Sequence, residues 1–431
     1  MAQRIRPVKG TRDFYPEDMA LRQWLYRHMR AVSEQFGYQE YDGPFLEPIE
    51  LYAAKSGEEL VKEQAFVFPD RSGDLITLRP ELTPTLARMV AQRQKQLYFP
   101  LRWWSFGPFW RYERPQRGRG REFFQWNVDL LGVNRPEADA ELVAVGATFF
   151  RRVNLTPQEV RIYVNSRRLM DQALDRIGVP AEMRPAVFRL IDRLDKISPE
   201  TWEAQALDMG LSQEQVKDLK ALLEQRDLWE QSEELRRFFR AVEALGVAEY
   251  VAYHPAIIRG LDYYTGIVFE ARDAQGQFRA ILGGGRYDNL VADVGGDPIP
   301  GVGFAMGDMV ITLVLEHYGK RPQLDLAPAP ILVTVFDEEH LLPSYRLARD
   351  LREAGFRVVV YPEPVRLSKQ FKYANRVGVQ VVVVLGPDEA AQGTLTLKHM
   401  GTGEQVTLPR KEAFARLRAW LGESSGPSPQ E

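Results

Sequence analysis

The stretch 106–129, FGPFWRYERPQRGRGREFFQWNVD, constrains this chain more than any other. Aromatic and β-forming residues fill 101–112 and 123–131, and Pro115, Gly118 and Gly120 punctuate the basic segment between them. Two extended runs around a turn-rich connection predict an antiparallel hairpin. Around its tip stand Arg111, Arg114, Arg117, Arg119 and Arg121. A guanidinium presents a planar fork of donors that matches phosphate. The tip is therefore either a phosphate-seeking loop or a solvated basic turn, and this stretch alone leaves both open.

Composition narrows the classes. A chain of 431 residues holds roughly two to three domains. Its 45% hydrophobic and 27% charged residues fit a soluble globular protein with a large core. The formal net charge is −3, so a nucleic-acid partner has to be held by local patches such as 111–121. Cysteine is absent, which excludes disulfides and thiolate metal sites and leads us to expect a reducing, cytoplasmic setting. The five histidines show no ligand-like spacing, so no protein-ligated metal is expected. No apolar run reaches membrane-spanning length, so no membrane partner is expected. The N-terminus lacks the apolar core of a signal peptide.

Read in order, the chain first predicts an amphipathic helix over 17–36, opened by Pro16 and stopped by Gly37. His28 on its apolar face reads as a core or interface histidine. Residues 38–49 read as extended, with Pro44 at an edge or an interface. A helix over 50–63 and strands over 65–68 and 75–79 follow. At 78–84 a strand gives way to a helix, with Thr83 as the expected cap and Pro84 in the first turn. Glu81, just ahead of it, either serves the helix dipole or faces a substrate ammonium. After the hairpin come a helix over 135–152 and a strand over 160–165. Helical patterns over 169–177, 184–194, 212–228 and 232–245 then read as an insertion in an α+β domain.

The stretch 257–288 predicts a second hairpin, with strands over 267–272 and 278–282. Gly260, Gly266 and Gly283 to Gly285 flank it, either to admit a ligand or as bulges and turns. Arg259, Asp262, Tyr263, Tyr264, Arg286 and Tyr287 crowd its ends, which favours a pocket. The glycine run 301–307 leads into a helix over 309–317, without the full dinucleotide fingerprint of a Rossmann fold. A proline-bearing linker, 321–330, precedes alternating strands and helices, a closing hairpin and a last helix over 411–421. The tail 422–431 is expected to be disordered.

Five strings carry a resemblance: Lys9-Gly10-Thr11-Arg12-Asp13, the segment 38–47, the hairpin 109–129, Arg259-Gly260-Leu261-Asp262-Tyr263-Tyr264-Thr265-Gly266, and Gly284-Gly285-Arg286-Tyr287-Asp288. Over nearly its whole length the chain resembles the histidyl-tRNA synthetase family of class II aminoacyl-tRNA synthetases. The resemblance implies an α+β catalytic domain with an antiparallel sheet over 1–325, carrying a helical insertion at about 167–250. It also implies a C-terminal α/β anticodon-binding domain over 328–421, and a homodimer. The implied reaction joins histidine and ATP to histidyl-adenylate, then passes histidine to the 3′ end of tRNA(His).

By the same resemblance Arg111 and Arg259 are the catalytic arginines. Glu81, Thr83, Arg111, Gln125, Asp129, Arg259, Tyr263, Tyr264 and Tyr287 would bind histidine. Arg111, Arg119 and Arg259 would bind ATP with Mg²⁺, and Arg114, Gln116 and Arg117 would meet tRNA. Two positions depart from the family pattern. Asp129 stands where many members carry glutamate, and Val310 stands where class II enzymes carry an arginine on the helix after the glycine run. Arg119 or Arg286 is expected to replace that charge. The rival readings are an inactive paralogue, such as the regulatory subunit of ATP phosphoribosyltransferase, and a general RNA-binding module.

Overall fold

A computed structural model describes residues 5–53, 63–194, 196–260 and 263–422. Asp262, most of the 50–63 helix expectation and the tail from 423 onward lie outside them. The chain divides into two compact units, Met1–Pro322 and Gln323–Glu431.

The first unit contains strands β1 (Gln39–Glu40), β2 (Leu46–Pro48), β3 (Phe66–Pro69), β4 (Leu75–Leu78), β5 (Leu101–Trp110), β6 (Glu122–Leu131), β7 (Val160–Ser166), β8 (Val251–Tyr253), β9 (Ile267–Asp273), β10 (Leu282–Tyr287) and β11 (Gly301–Gly307). Its helices are α1 (Pro16–Gln35), α2 (Glu50–Ala53), α3 (Thr83–Arg93), α4 (Pro136–Arg152), α5 (Arg167–Arg176), α6 (Arg184–Asp192), α7 (Pro199–Asp208), α8 (Gln213–Glu224), α9 (Glu233–Ala244), α10 (Leu290–Asp293) and α11 (Asp308–His317). Eight strands form one sheet in the order β1-β5-β6-β11-β10-β9-β7-β8, and β2-β4-β3 form a smaller one. The interior pairs of the large sheet are antiparallel, and the two edge pairs are parallel.

Alternation along the strands gives this sheet two unlike faces. Trp126, Val128 and Leu130 of β6 join Trp104 of β5 and Val302 and Met306 of β11 in the main core, with Leu25, Met29 and Val32 of α1 and Phe149 of α4. Each such buried side chain contributes about 1.5–3 kcal/mol before its ordering cost. Even the polar atom of Trp126 is satisfied, its Nε1 donating to Ser33 Oγ at 3.0 Å. Odd positions of β6 turn to the opposite face: Gln125, Asn127 and Asp129.

Three expectations are corrected. The return strand of the second hairpin is β10, so residues 278–281 are loop and the glycine run is strand. Gly301–Gly307 is also a strand, held between β6 and β10. Glycine has poor strand propensity alone, but here both neighbours supply a full ladder. Thr83 is the first residue of α3 and its side chain does not cap; Leu82 takes the cap position. Between β7 and β8 lie α5 to α9, including α7, which the sequence reading passed over; Ser198 caps it through a bond from Thr201 N.

The second unit contains β12 (Ile331–Val333), β13 (Val358–Val360), β14 (Val381–Val384), β15 (Thr394–His399) and β16 (Gln405–Pro409), with α12 (Glu338–Glu353), α13 (Leu367–Arg376), α14 (Pro387–Gln392) and α15 (Arg410–Leu421). Strand order is β13-β12-β14-β15-β16, parallel in the first three and antiparallel thereafter. Its short valine-rich strands are buried between helices, as continuous apolar runs in parallel sheets require.

Candidate active site

The polar face of the large sheet floors a cleft of about 1400 Å³. The cleft face of β11 presents Gly303, Ala305 and Gly307, and that of β10 presents Gly283 and Tyr287. Small residues on two central strands leave the volume open.

Arg111 enters from the end of β5. Its backbone N–H donates to Arg121 at 3.0 Å, and its Nε donates to Pro80 O at 2.9 Å. The guanidinium carbon lies 5.4 Å from the Phe123 ring centroid. Burial lowers its pKa, and Glu81 opposes that shift. Arginine stays charged regardless.

Arg259 enters from the opposite side, and two devices hold it. Its backbone has φ 59, a left-handed conformation uncommon outside glycine. Arg167 fixes that turn by donating to the carbonyls of Arg259 at 2.6 Å, Tyr264 at 3.1 Å and Ile258 at 3.3 Å. The guanidinium pairs with Glu270 of β9. Burial works against its charge, but Glu270 prevails and raises its pKa. A Cβ on Gly283 would stand 2.4 Å from the same guanidinium, so only glycine leaves it room.

A tyrosine-lined pocket adjoins the two arginines. Tyr263 OH donates to Glu81 Oε2 at 3.2 Å, and the Tyr263 and Tyr264 rings lie 4.9 Å apart. Glu81, Thr83, Gln125, Tyr263, Tyr264 and Tyr287 all line the cleft. Glu81 therefore faces the cavity as well as preceding α3. Asp129 does not line it. It is buried behind Tyr287, whose OH donates to Asp129 Oδ1 at 2.6 Å. Burial pushes the Asp129 carboxyl up to about 7, with the Tyr287 hydrogen bond working the other way.

The basic tip is divided. Gln116 and Arg119 line the cleft, while Arg114 and Arg117 do not. Gln116 and Arg119 exchange backbone bonds at 3.0 and 2.9 Å, and Arg119 pairs with Glu113. Arg117 lies exposed, its guanidinium carbon 5.6 Å from the Phe278 ring centroid.

Val310 lines the cleft on the first turn of α11 and brings no charge. Ahead of it, Asp308 accepts from Arg12 at 2.7 Å and from Phe124 N at 3.0 Å. Arg286 does not replace the missing charge. On β10 it points away from the cleft and is buried against Asp139 of α4, with Nη2 to Oδ2 at 2.6 Å. On a strand, Arg286 and its neighbour Tyr287 face opposite sides of the sheet. His28 meets the Trp24 ring edge-on and accepts from Arg152, and it does not line the cleft. Glu270, Arg167 and Asn127 were missed. Glu270 had one signal, a carboxylate set between Phe269 and Ala271 in the apolar part of β9.

The sheet thus carries one arginine at a hairpin end and another on the facing wall of its cleft. The family model for histidyl-tRNA synthetase matches residues 10–309, and that for the anticodon binding domain matches residues 330–420. The chloroplastic/mitochondrial histidine–tRNA ligase of Arabidopsis thaliana is 39% identical over 411 residues, covering 93% of this chain and 84% of that protein. The histidine–tRNA ligase of Haloarcula marismortui is 37% identical over 417 residues, covering 93% and 95%. Among solved structures, histidyl-tRNA synthetase from Nostoc sp. PCC 7120 superposes with a TM-score of 0.80 at 25% identity, covering 96% of this chain and all of that one. An ATP phosphoribosyltransferase regulatory subunit/histidyl-tRNA synthetase from Bacillus halodurans shares the fold, with a TM-score of 0.74 at 22% identity over 89% of this chain. The chain belongs to the histidyl-tRNA synthetase family.

Proposed function

We propose that the cleft activates histidine with ATP and then transfers it to the 3′ end of tRNA(His), the histidine–tRNA ligase reaction. The observation that carries this reading is the facing pair Arg111 and Arg259 beside a pocket of Glu81 and three tyrosines. In the first step a histidine carboxylate oxygen attacks the α-phosphorus of ATP, and the bond to the pyrophosphate oxygen breaks. Charge builds on the phosphate oxygens, and fixed donors stabilise it without reorganising. Arg111 and Arg259 hold the carboxylate and α-phosphate from two sides. Each is already oriented, by Pro80 O and by Glu270.

Glu81, with Thr83 and Gln125, takes the α-ammonium. Tyr264 and Tyr287 address the imidazole, one edge a donor and the other an acceptor. Asp129 acts through Tyr287 by fixing which way its hydroxyl proton points. Arg119 meets the outer phosphates. Mg²⁺ would accompany ATP and neutralise charge on its phosphates; Glu113 and Glu270, two carboxylates lining the cleft, are paired with arginines. Arg114, Gln116 and Arg117 receive the tRNA acceptor end, and residues 328–421 the anticodon.

A homodimer belongs to the same proposal. Phe45 and Leu46 beside Pro44, with Val67, Phe68 and Leu75, leave an exposed apolar surface on and around the small sheet. The cysteine-free composition supports a cytoplasmic setting, and among the described residues no helix is long and apolar enough to cross a membrane. Histidine-dependent ATP–pyrophosphate exchange tests the reading. Well-folded protein that catalyses no exchange would return it to the regulatory-subunit alternative.

A further inference from the structure

We propose that Arg279, on the loop between β9 and β10, is an ATP-phosphate ligand that supplies the charge Val310 does not. This inference rests on the ATP-dependent reading above. Arg279 lines the same cleft as Arg111, Arg119 and Arg259. Those three are already engaged, with Pro80 O, Glu113 and Glu270 respectively. Lys196 and Arg272, also lining the cleft, pair with Asp192 and Glu270. No such bond joins Arg279 to any described residue.

Its surroundings argue against a bland surface arginine. Desolvation, and after it repulsion from Arg111, lowers its pKa, while Glu270 works the other way. Two guanidinium groups brought to one cavity, with one of them unpaired, make a receptor for an anion of several charges. The triphosphate is the polyanion this reaction brings.

The loop that carries Arg279 is braced rather than loose. Asp273 accepts from Gln277 N at 2.9 Å and from Phe278 N at 3.0 Å. The Phe278 ring packs against His317 at 5.5 Å and under Arg117 at 5.6 Å. The neighbouring Phe278 thus ties this loop to the tip of the first hairpin and to the C-terminal end of α11; at the other end of that helix the first turn offers the cleft only Met309 and Val310 beyond the committed Asp308.

Arg279→Ala and Arg279→Lys are compared with the unmodified chain in ATP–pyrophosphate exchange, varying ATP and histidine separately. Arg279→Ala should raise the KM for ATP about tenfold, the scale of one charge-assisted bond, and leave that for histidine within about twofold. Arg279→Lys should recover most of the ATP affinity, which a merely structural role would not predict. Arg279 makes no hydrogen bond or ion pair to a described residue, so thermal melts should coincide. An unchanged KM for ATP in Arg279→Ala would overturn the inference, as would an equal rise for histidine or an effect confined to tRNA transfer. No exchange by the unmodified chain would overturn the inference together with the reading beneath it.

Discussion

The two hairpins that wall the cleft are built on opposite rules. In β5–β6 function is carried by side chains that are present: Arg111, Gln125 and, one layer back, Asp129. In β10 it is carried largely by side chains that are absent. Gly283 makes room for the Arg259 guanidinium, and a Cβ on Gly285 would lie 2.9 Å from Tyr264 Cδ1. Gly303 of the neighbouring strand does the same for Asp129, whose Oδ1 would lie 2.0 Å from a Cβ there. One wall presents its chemistry, and the other yields space to chemistry that arrives from elsewhere. Substitution should therefore fail in different ways on the two walls.

The largest effect is expected where charge itself is removed. Arg111→Ala should lower the rate of pyrophosphate exchange by about a thousandfold, the scale for loss of one preorganised transition-state donor. Arg259→Ala should do the same, with an added cost from the lost ion pair to Glu270, which keeps only Arg272. Single-turnover adenylate formation checks both. A loss confined to KM would break the claim that these groups act on the transition state.

On the yielding wall the damage comes from adding a methyl group. Gly283→Ala places a Cβ against the Arg259 guanidinium, the far end of a flexible side chain, so the arginine moves and the strand survives. Exchange should fall roughly a hundredfold, as misplacing a reacting group by about an ångström does, with little change in Tm. If Gly283→Ala were as active as the parent, the space-making role of β10 would be lost.

This contrast also governs what the sequence could reveal. The β5–β6 hairpin was legible because aromatic and polar residues alternate with period two and its turn is marked by glycine and proline. From that period the shared face of Gln125 in the cleft and Asp129 one layer behind it follows. The strands β10 and β11 were not legible, because glycine carries no strand signal and its ladder partners are distant in sequence. With β10 misplaced by four residues, the facing of Arg286 could not be read, and it was wrongly offered to ATP. Arg279 went unseen for the same reason, as it fell inside the expected strand. Glu270 and Arg167 act by orienting Arg259, which requires knowing that three segments converge.

A smaller effect tests the layer behind the first wall. Asp129 has its pKa raised to about 7 by burial, so the folded state holds its proton more tightly than the unfolded chain does. Its contribution to stability is complete below the ordinary carboxylate range near 4, and is lost as pH rises through about 7. Asp129→Asn should remove that loss, so the Tm difference between variant and parent should favour the variant more at pH 8 than at pH 5. Tyr287→Phe deletes the bond that draws the pKa down and should move the transition to higher pH. A Tm difference independent of pH would show that Asp129 does not titrate in this range.

The smallest effect separates the tip of the hairpin from its base. Arg117 is exposed and does not line the cleft, unlike Arg111 a few residues before it. Arg117→Ala should leave exchange within about twofold and raise the KM for tRNA roughly fivefold, the loss of one phosphate contact. Neutralising one such contact should also reduce the log–log salt slope of the tRNA KM by about one unit. Equal losses in exchange and transfer would assign Arg117 to the adenylate step and erase the division between base and tip. A tRNA effect without a change in salt slope would mean that Arg117 shapes the loop through Phe278 instead of meeting phosphate.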